Sequence, residues 1–301
     1  MVVVAIAGGT GAVGSTLKAE RSESASLERL AVDYNNADQI ASVLREHGVE
    51  VVVSALVLLD NAASESQINL IRGAACSGTV TRFLPSEYHL DFHIPINGIE
   101  LSFKNFQLRS ELELEHHPQL TWTLLRNGLF LDYLAMPHKP KPTNLMPWSV
   151  FVDFQHEMCV FPGDGTQTMI FTHSSDLAAY VERLVSLPAT EWPRYALVAG
   201  NRLNFHELAD IIKRVTGCIE RDFNIVYEST EAIFRGHVTQ LPIEKEAMYT
   251  ALSNGYDLQG EDLGKLFPDV QTTPIDDFLK DAWILKQAAE ATRPTDVRHG
   301  T

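Results

Sequence analysis

The sequence predicts an α/β protein: a doubly wound parallel sheet with helices on both faces, followed by a smaller C-terminal lobe. Three observations carry that expectation. Short apolar runs rich in β-branched residues alternate with amphipathic stretches through the first 132 residues. The first run, Val2 to Ala7, ends in the glycine cluster "GGTGAVG". After Asp132 the composition shifts, starting with "MPHKPKPTNLMP", which holds four prolines in twelve residues and reads as a domain crossing.

Each element has its own signal. Val2 to Ala7 is uninterrupted and apolar, as suits a strand covered on both faces. Asn36 to Gly48 reads as a helix, because Ile40, Val43, Leu44 and His47 recur at i, i+3, i+4 and i+7. Asn36 caps it with Gln39 three residues on, and Gly48 ends it. "VEVVVSAL" is a second buried strand, and a helix covers roughly Ala63 to Ala75. "VTRFLPSEY" is a strand and its loop, Glu100 to His116 is helical, and Pro118 stops that helix. "LTWTLLRNGLF" is a further strand. In the second half, Asp176 to Leu187 is a capped helix and "YALVAG" a strand. Asn204 to Gly217 is a helix opened by an Asn204/Glu207 capping box, with Leu208, Ile211, Ile212 and Val215 as its apolar stripe. Thr273-Pro274 opens a last helix that buries Phe278 and Trp283. Residues 1–132 are expected to form one domain, with 166–190 packing on it, and 133–301 mainly the second lobe.

Composition narrows the function. The 301 residues carry a net charge of -15, which opposes binding to nucleic acid or an anionic membrane. Cys76, Cys159 and Cys218 form no CxxC pair, so no disulfide framework is expected and a reducing compartment fits. The first apolar run has no basic residues before it and breaks at Gly8, and no stretch nears the ~18 apolar residues of a membrane span. A cytoplasmic protein acting on a small molecule is expected, and a homo-oligomer stays open.

Gly8, Gly11 and Gly14 are spaced GxxGxxG between the first strand and a helix, with Thr10 and Val13 in the same loop. That context fits a turn whose backbone approaches a pyrophosphate, set against the positive end of a helix dipole.

This loop, together with "VVVSAL", "TRFLPSEY", "FKNFQLRSELE" and "LTWTLLRNGLF", resembles the NmrA-like and isoflavone-reductase-like branch of the atypical short-chain dehydrogenases. The resemblance runs in order from residue 2 to about 180. It implies a Rossmann domain that binds NADP(H) and a C-terminal substrate lobe. It also implies that the backbone at Ser54 and Ala55 lines the cofactor and that Asn127 borders the nicotinamide; Ser86 and Glu87, at the carboxyl edge of the sheet, contact the nicotinamide ribose or position Lys104, with a helix-capping turn as the equal alternative. Typical short-chain dehydrogenases use Tyr-x-x-x-Lys, and no tyrosine here has a lysine four residues on. In the reductases of this branch a single helix lysine is the general acid or base, and Lys104 holds that place. Tyr88, His89 and Phe130 border the expected substrate cleft, and Trp148 and Phe154 suggest an aromatic wall, with ordinary core as the equal alternative. His89, Asp91 and His93 are spaced H-x-D-x-H but lack an evident fourth ligand, so no metal is expected and a gating loop is the better reading.

One segment is short. Eighteen residues separate Gly14 from Asp33, too few for the elements that complete a dinucleotide site. In one reading "LAVDY" is the second strand and Asp33 binds the ribose hydroxyls of NAD. In the other, "ERSES" ends the family's second strand and Arg21 meets the 2′-phosphate of NADPH. The second agrees with "DYNNADQI", which matches the family in wording and place. The expected function is NADPH-dependent reduction of a small aromatic or alkaloid-like secondary metabolite. A non-enzymatic NADP(H) sensor and a redox-neutral cyclase stay open as alternatives.

Overall fold

A computed structural model describes residues 2–19, 27–95, 101, 103–217, 223–235 and 245–292. Strand β1 (Val4–Ala7) leads through the glycine turn into α1 (Ala12–Ala19). Helix α2 (Ala37–Glu46) starts where the Asn36 side chain accepts from the Gln39 N–H, and Gly48 follows its end at φ +60. Then come β2 (Val51–Ser54), α3 (Asn61–Ser77), β3 (Arg82–Leu84) and α4 (Lys104–Glu115). Three short strands follow: β4 (Thr121–Trp122), β5 (Leu124–Arg126) and β6 (Leu129–Phe130), then a 3-10 turn, Leu131–Ala135. The second half holds β7 (Val152–Asp153), β8 (Met158–Pro162), β9 (Thr168–Thr172), α5 (Ser174–Val185), β10 (Tyr195–Leu197), β11 (Asn201–Asn204) and α6 (Phe205–Thr216). It ends with β12 (Asn224–Glu228), α7 (Thr230–Arg235), α8 (Lys245–Leu252), β13 (Glu261–Asp262), α9 (Leu263–Leu266) and α10 (Ile275–Ala291).

The central ladder is parallel throughout, in the order β1-β2-β3-β4. Past Thr123 the same chain segment continues as β5, which pairs with β10, and β10 pairs with β13, again in parallel. Pleating sends Val51 and Val53 to one face and Val52 to the other. On the first face Leu17 of α1 and Leu177, Val181 and Leu184 of α5 cover the sheet. On the second, Ile40 and Leu44 of α2, Leu70 and Ile71 of α3 and Leu114 of α4 do so. Burial on both faces explains why these strands are unbroken apolar runs.

The remaining strands form two small sheets, β11-β9-β6 and β12-β8-β7, over a core that includes Phe151, Phe161, Phe205, Phe278 and Trp283. Helix α6 carries the capping box read from the sequence: the Asn204 carboxamide oxygen accepts from the Glu207 N–H at 2.9 Å, and Glu207 accepts from the Asn204 N–H at 2.8 Å. Asn204→Ala is expected to lower stability by about 1 kcal/mol, read as a shift in the urea midpoint at unchanged slope.

Two expectations need correction. "LTWTLLRNGLF" is not one strand but three, in three ladders. The break at Gly128 has a cause: its φ is +69, and an added Cβ would lie 2.2 Å from the Ile170 carbonyl oxygen. "LAVDY" is not a strand at all, since residues 27–33 are irregular. The Asp33 carboxylate instead accepts from the backbone and side chain of Asn35, folding the chain into the turn that precedes α2. Among the described residues β1 therefore pairs only with β2, where a doubly wound sheet would place its first strand inside. "ERSES", with Arg21, lies outside the described residues.

Candidate active site

The glycine spacing follows from contacts. Gly8 has φ +73, and an added Cβ would lie 2.6 Å from the Ala55 carbonyl oxygen, so the loop is seated directly on the end of β2. Gly14, in α1, comes so close that its Cβ would lie 2.3 Å from the Gly8 carbonyl oxygen. The Gly11 N–H closes the turn by donating to Gly8 at 2.9 Å. Thr10 at the tip is exposed, and Val13 packs under the loop. The first turn of α1 has no acidic side chain, so its N–H groups are not neutralised.

Hydrogen bonds join the other strand ends to this loop. The Ala55 N–H donates to Ala7 at 2.8 Å. The Ser86 hydroxyl donates to the Leu56 carbonyl at 2.7 Å, and the Tyr88 hydroxyl to the Ser54 carbonyl at 2.8 Å. The Gly128 N–H donates to the His89 carbonyl at 3.0 Å. One sheet edge thus collects Gly8, Ser54, Ala55, Ser86, Tyr88, His89 and Asn127. The Ser54 hydroxyl is already used, donating to Gln67, which donates on to Ser110 of α4 at 3.2 Å. Asn127 is fully buried, and its side-chain oxygen has no donor among the described residues.

A charged cluster holds the loop after β3. Arg126 binds Asp91 at 2.9 Å and donates to the Gln259 carbonyl at 3.0 Å. His93 bridges Asp91 at 3.0 Å and Glu111 of α4 at 2.8 Å. Glu87 lies buried beside this cluster. Burial first, and then the Glu111 and Asp91 carboxylates, push its pKa well above the usual carboxylate range despite Arg126. Burial likewise lowers His89 to about 4, so its ring is neutral at pH 7. Among the described residues no group of three or more His, Cys, Asp or Glu could hold a metal ion.

Lys104 opens α4, and its ammonium donates to the Ile94 carbonyl at 3.4 Å. The preceding Phe103 ring lies 6.3 Å from the His89 ring, which brings the start of α4 to the same loop. No hydrogen bond joins Lys104 to the strand-end residues among the described residues.

Phe130, at the end of β6, meets Tyr133 at 6.2 Å between ring centroids, and Tyr133 meets Trp148 edge-on at 5.0 Å. Phe154 is elsewhere, fully buried in the lobe against Phe223 and Trp283, where it fills the core rather than a cleft wall. Tyr133 was not singled out in the sequence; its signal is an aromatic residue three positions past the end of the last cleft strand. The proline-rich segment lies over α1, with Asn144 donating to Ser15 at 2.6 Å and Leu145 buried in the core that holds Leu17 and Ala55. No helix among the described residues is long and apolar enough to cross a membrane.

No protein-family model matches the chain. It is 49% identical to the oxidoreductase swnN of Arthroderma benhamiae, across 95% of this chain and 99% of that protein. It is 46% identical to the oxidoreductase swnN of Metarhizium robertsii, across 96% of this chain and 99% of the relative. The Metarhizium alignment runs over 341 positions against the 301 residues here, so that relative carries residues this chain lacks. Among solved structures, leucoanthocyanidin reductase with NADPH from Vitis vinifera superposes with a TM-score of 0.71 at 19% identity, over 93% of this chain and 99% of that one. An isoflavone reductase superposes with a TM-score of 0.67 at 19% identity, over 92% and 97%. The shared fold is the Rossmann type.

Proposed function

We propose a reaction for this chain, which belongs to the isoflavone-reductase-like family of oxidoreductases: NADPH-dependent reduction of a small aromatic or alkaloid-like metabolite, with Lys104 moving the proton. The observation that carries the cofactor reading is the cradle at Gly8 and Gly14, where a single Cβ would collide with backbone. Such closeness is what lets main-chain N–H groups reach a pyrophosphate. The buried oxygen of Asn127, which has no donor among the described residues, is a second fit on the same edge, since a polar ligand group would satisfy it. The NADPH complex of the leucoanthocyanidin reductase neighbour supports the choice of cofactor. When bound, NADPH supplies the hydride.

The chain's own residues do the rest. Gly8, Thr10, Gly11, Val13 and Gly14 hold the phosphates, and the family's sequence order gives Arg21 the 2′-phosphate. Ser54 and Ser86 have their hydroxyls committed to Gln67 and Leu56, so they shape the edge and present backbone. Burial and the neighbouring Glu111 and Asp91 carboxylates disfavour a charge on Glu87, which lines the edge. Lys104 delivers or removes the proton, and its modest hold on Ile94 leaves the ammonium free to turn toward a ligand. Tyr88, His89, Phe130 and Trp148 border the substrate, which the lobe beyond residue 132 selects.

Paired calorimetric titrations with NADPH and NADH test the cofactor. Micromolar binding with clear preference for NADPH is expected, and binding of neither overturns the reading. Lys104→Ala is expected to slow single-turnover reduction at least ~100-fold, within the usual range for a general acid, while NADPH affinity stays within about twofold. An unchanged single-turnover rate removes Lys104 from the mechanism.

A further inference from the structure

The chain between β3 and α4 is fastened at a short turn. The Ile94 N–H donates to the Asp91 carbonyl at 3.2 Å, and the His93 N–H to the Asp91 carboxylate at 3.0 Å, which closes residues 91–94 on themselves. Two anchors leave this turn. Arg126 of β5 binds the Asp91 carboxylate at 2.9 Å. The His93 ring spans Asp91 and Glu111 of α4, at 3.0 Å from one nitrogen and 2.8 Å from the other. His89 takes no part, because its ring meets the Tyr256 hydroxyl at 3.5 Å instead.

The helix end of this clamp decides what it does. The Glu111 side chain is only 8% exposed. Among the described residues its partners are the His93 ring at 2.8 Å and the Tyr195 hydroxyl at 3.3 Å, and no lysine or arginine pairs with it. A buried carboxylate stripped of a partner is unfavourable, so the His93 contact is hard to give up. Glu111 lies seven residues after Lys104, two turns along the same face of α4. With His93 fixed there, the next carbonyl in the chain is fixed as well. That carbonyl, of Ile94, accepts from the Lys104 ammonium at 3.4 Å. A bond that long does not hold the turn by itself, so the constraint runs from His93 to Lys104 and not the reverse.

We propose that His93 is a positioning residue: clamped between Asp91 and Glu111, it fixes the Ile94 carbonyl and so aims the Lys104 ammonium. This rests on the reading of Lys104 as the group that moves the proton, and it adds what holds that group in place. His93 acts through Ile94 and has no assigned contact with cofactor or substrate. Asp91 and Arg126 tie the same turn to β5, one residue before Asn127, so the aim of Lys104 is set relative to the sheet edge.

The test is competitive labelling of the full chain with trace acetic anhydride at mildly alkaline pH, read by peptide mass spectrometry. It measures how freely the Lys104 amine reacts, with the exposed Lys280 of α10 as internal standard. Losing the bond to Ile94 favours the free amine, which is the form that reacts. His93→Leu and Glu111→Leu each remove the anchor. Each is expected to raise the Lys104-to-Lys280 ratio at least about threefold, the scale of one lost hydrogen bond. Glu111→Gln removes the charge but keeps a polar arm toward His93 and Tyr195, and its ratio is expected to stay within about twofold of the parent chain. Thermal melts confirm that each variant is folded during labelling. Should Glu111→Leu not fold, His93→Leu, at a side chain 47% exposed, carries the test. An unchanged ratio in His93→Leu overturns the proposal. So does a Glu111→Gln ratio raised as far as in the leucine variants, since Glu111 would then act through its charge and not as an anchor. The labelling needs neither cofactor nor substrate. Failure of the NADPH titration or of Lys104→Ala therefore overturns the reductase reading separately.

Discussion

Gly14→Ala is expected to reduce NADPH affinity by ~100-fold or more, a loss of about 2.7 kcal/mol. The added Cβ would lie 2.3 Å from the Gly8 carbonyl oxygen and 2.8 Å from the Gly9 Cα, both backbone atoms. No flexible side chain can yield there. Gly8 cannot retreat either, because it is seated on the Ala55 carbonyl. The strain must move α1 away from the loop, and with it the N–H groups proposed to hold the phosphates. Two controls separate this from general destabilisation. At Gly11 the nearest contact is a single atom at 3.2 Å, so Gly11→Ala should weaken binding less. At Gly48, φ is +60 with nothing within 4 Å of an added Cβ, so Gly48→Ala should lower stability by about 1 kcal/mol and leave cofactor affinity alone. Calorimetric titration and thermal unfolding of the three variants check the order. Equal affinity losses in all three would mean that the loop is not a cofactor cradle.

The legibility of this chain followed local chemistry. Asn36 with Gln39 and Asn204 with Glu207 marked two helix starts, because side-chain caps act within one turn. Valines 51 to 53 marked a strand covered on both faces. The glycine spacing was equally readable, since each glycine answers to one close approach. What escaped was long-range. Nothing local announces that the strand after α4 changes neighbours at Thr123, or that Ile170 forces a turn at Gly128. "LAVDY" has the composition of a strand, yet the Asp33–Asn35 turn and the Asn36 cap prevail over it. Phe154 and Trp148 read alike in the sequence, and only packing separates the core filler from the one whose N–H has no acceptor among the described residues. Tyr133 stayed hidden because the seam between two cores joins residues that no sequence period relates.

Acid and base should pull the stability of this protein in opposite directions, through two residues two positions apart. His89 has its pKa lowered to about 4 by burial near Phe92, Phe103 and Tyr256, whereas an unfolded histidine titrates near 6.5. The folded state therefore resists binding that proton, and stability present above pH 6.5 is lost as pH falls toward 4. At ~1.4 kcal/mol per unit this amounts to about 3 kcal/mol. Glu87 acts with the other sign. Its folded pKa is raised, so the folded state holds a proton that the unfolded chain gives up above about 4.5. Stability present below that pH is lost as pH rises through the folded value. Arg126 offsets part of the effect, and Asp91, Glu111 and their shared partner His93 set the rest. Where the two windows overlap, from about pH 4.5 upward, the two slopes oppose each other. His89→Gln should flatten the acid limb of a plot of Tm against pH, and Glu87→Gln should raise Tm at pH 8 but not at pH 4. If Glu87→Gln lowers Tm equally at both pH values, the carboxylate is ionised and paired in the fold. The edge proposed for the cofactor would then carry a negative charge at Glu87.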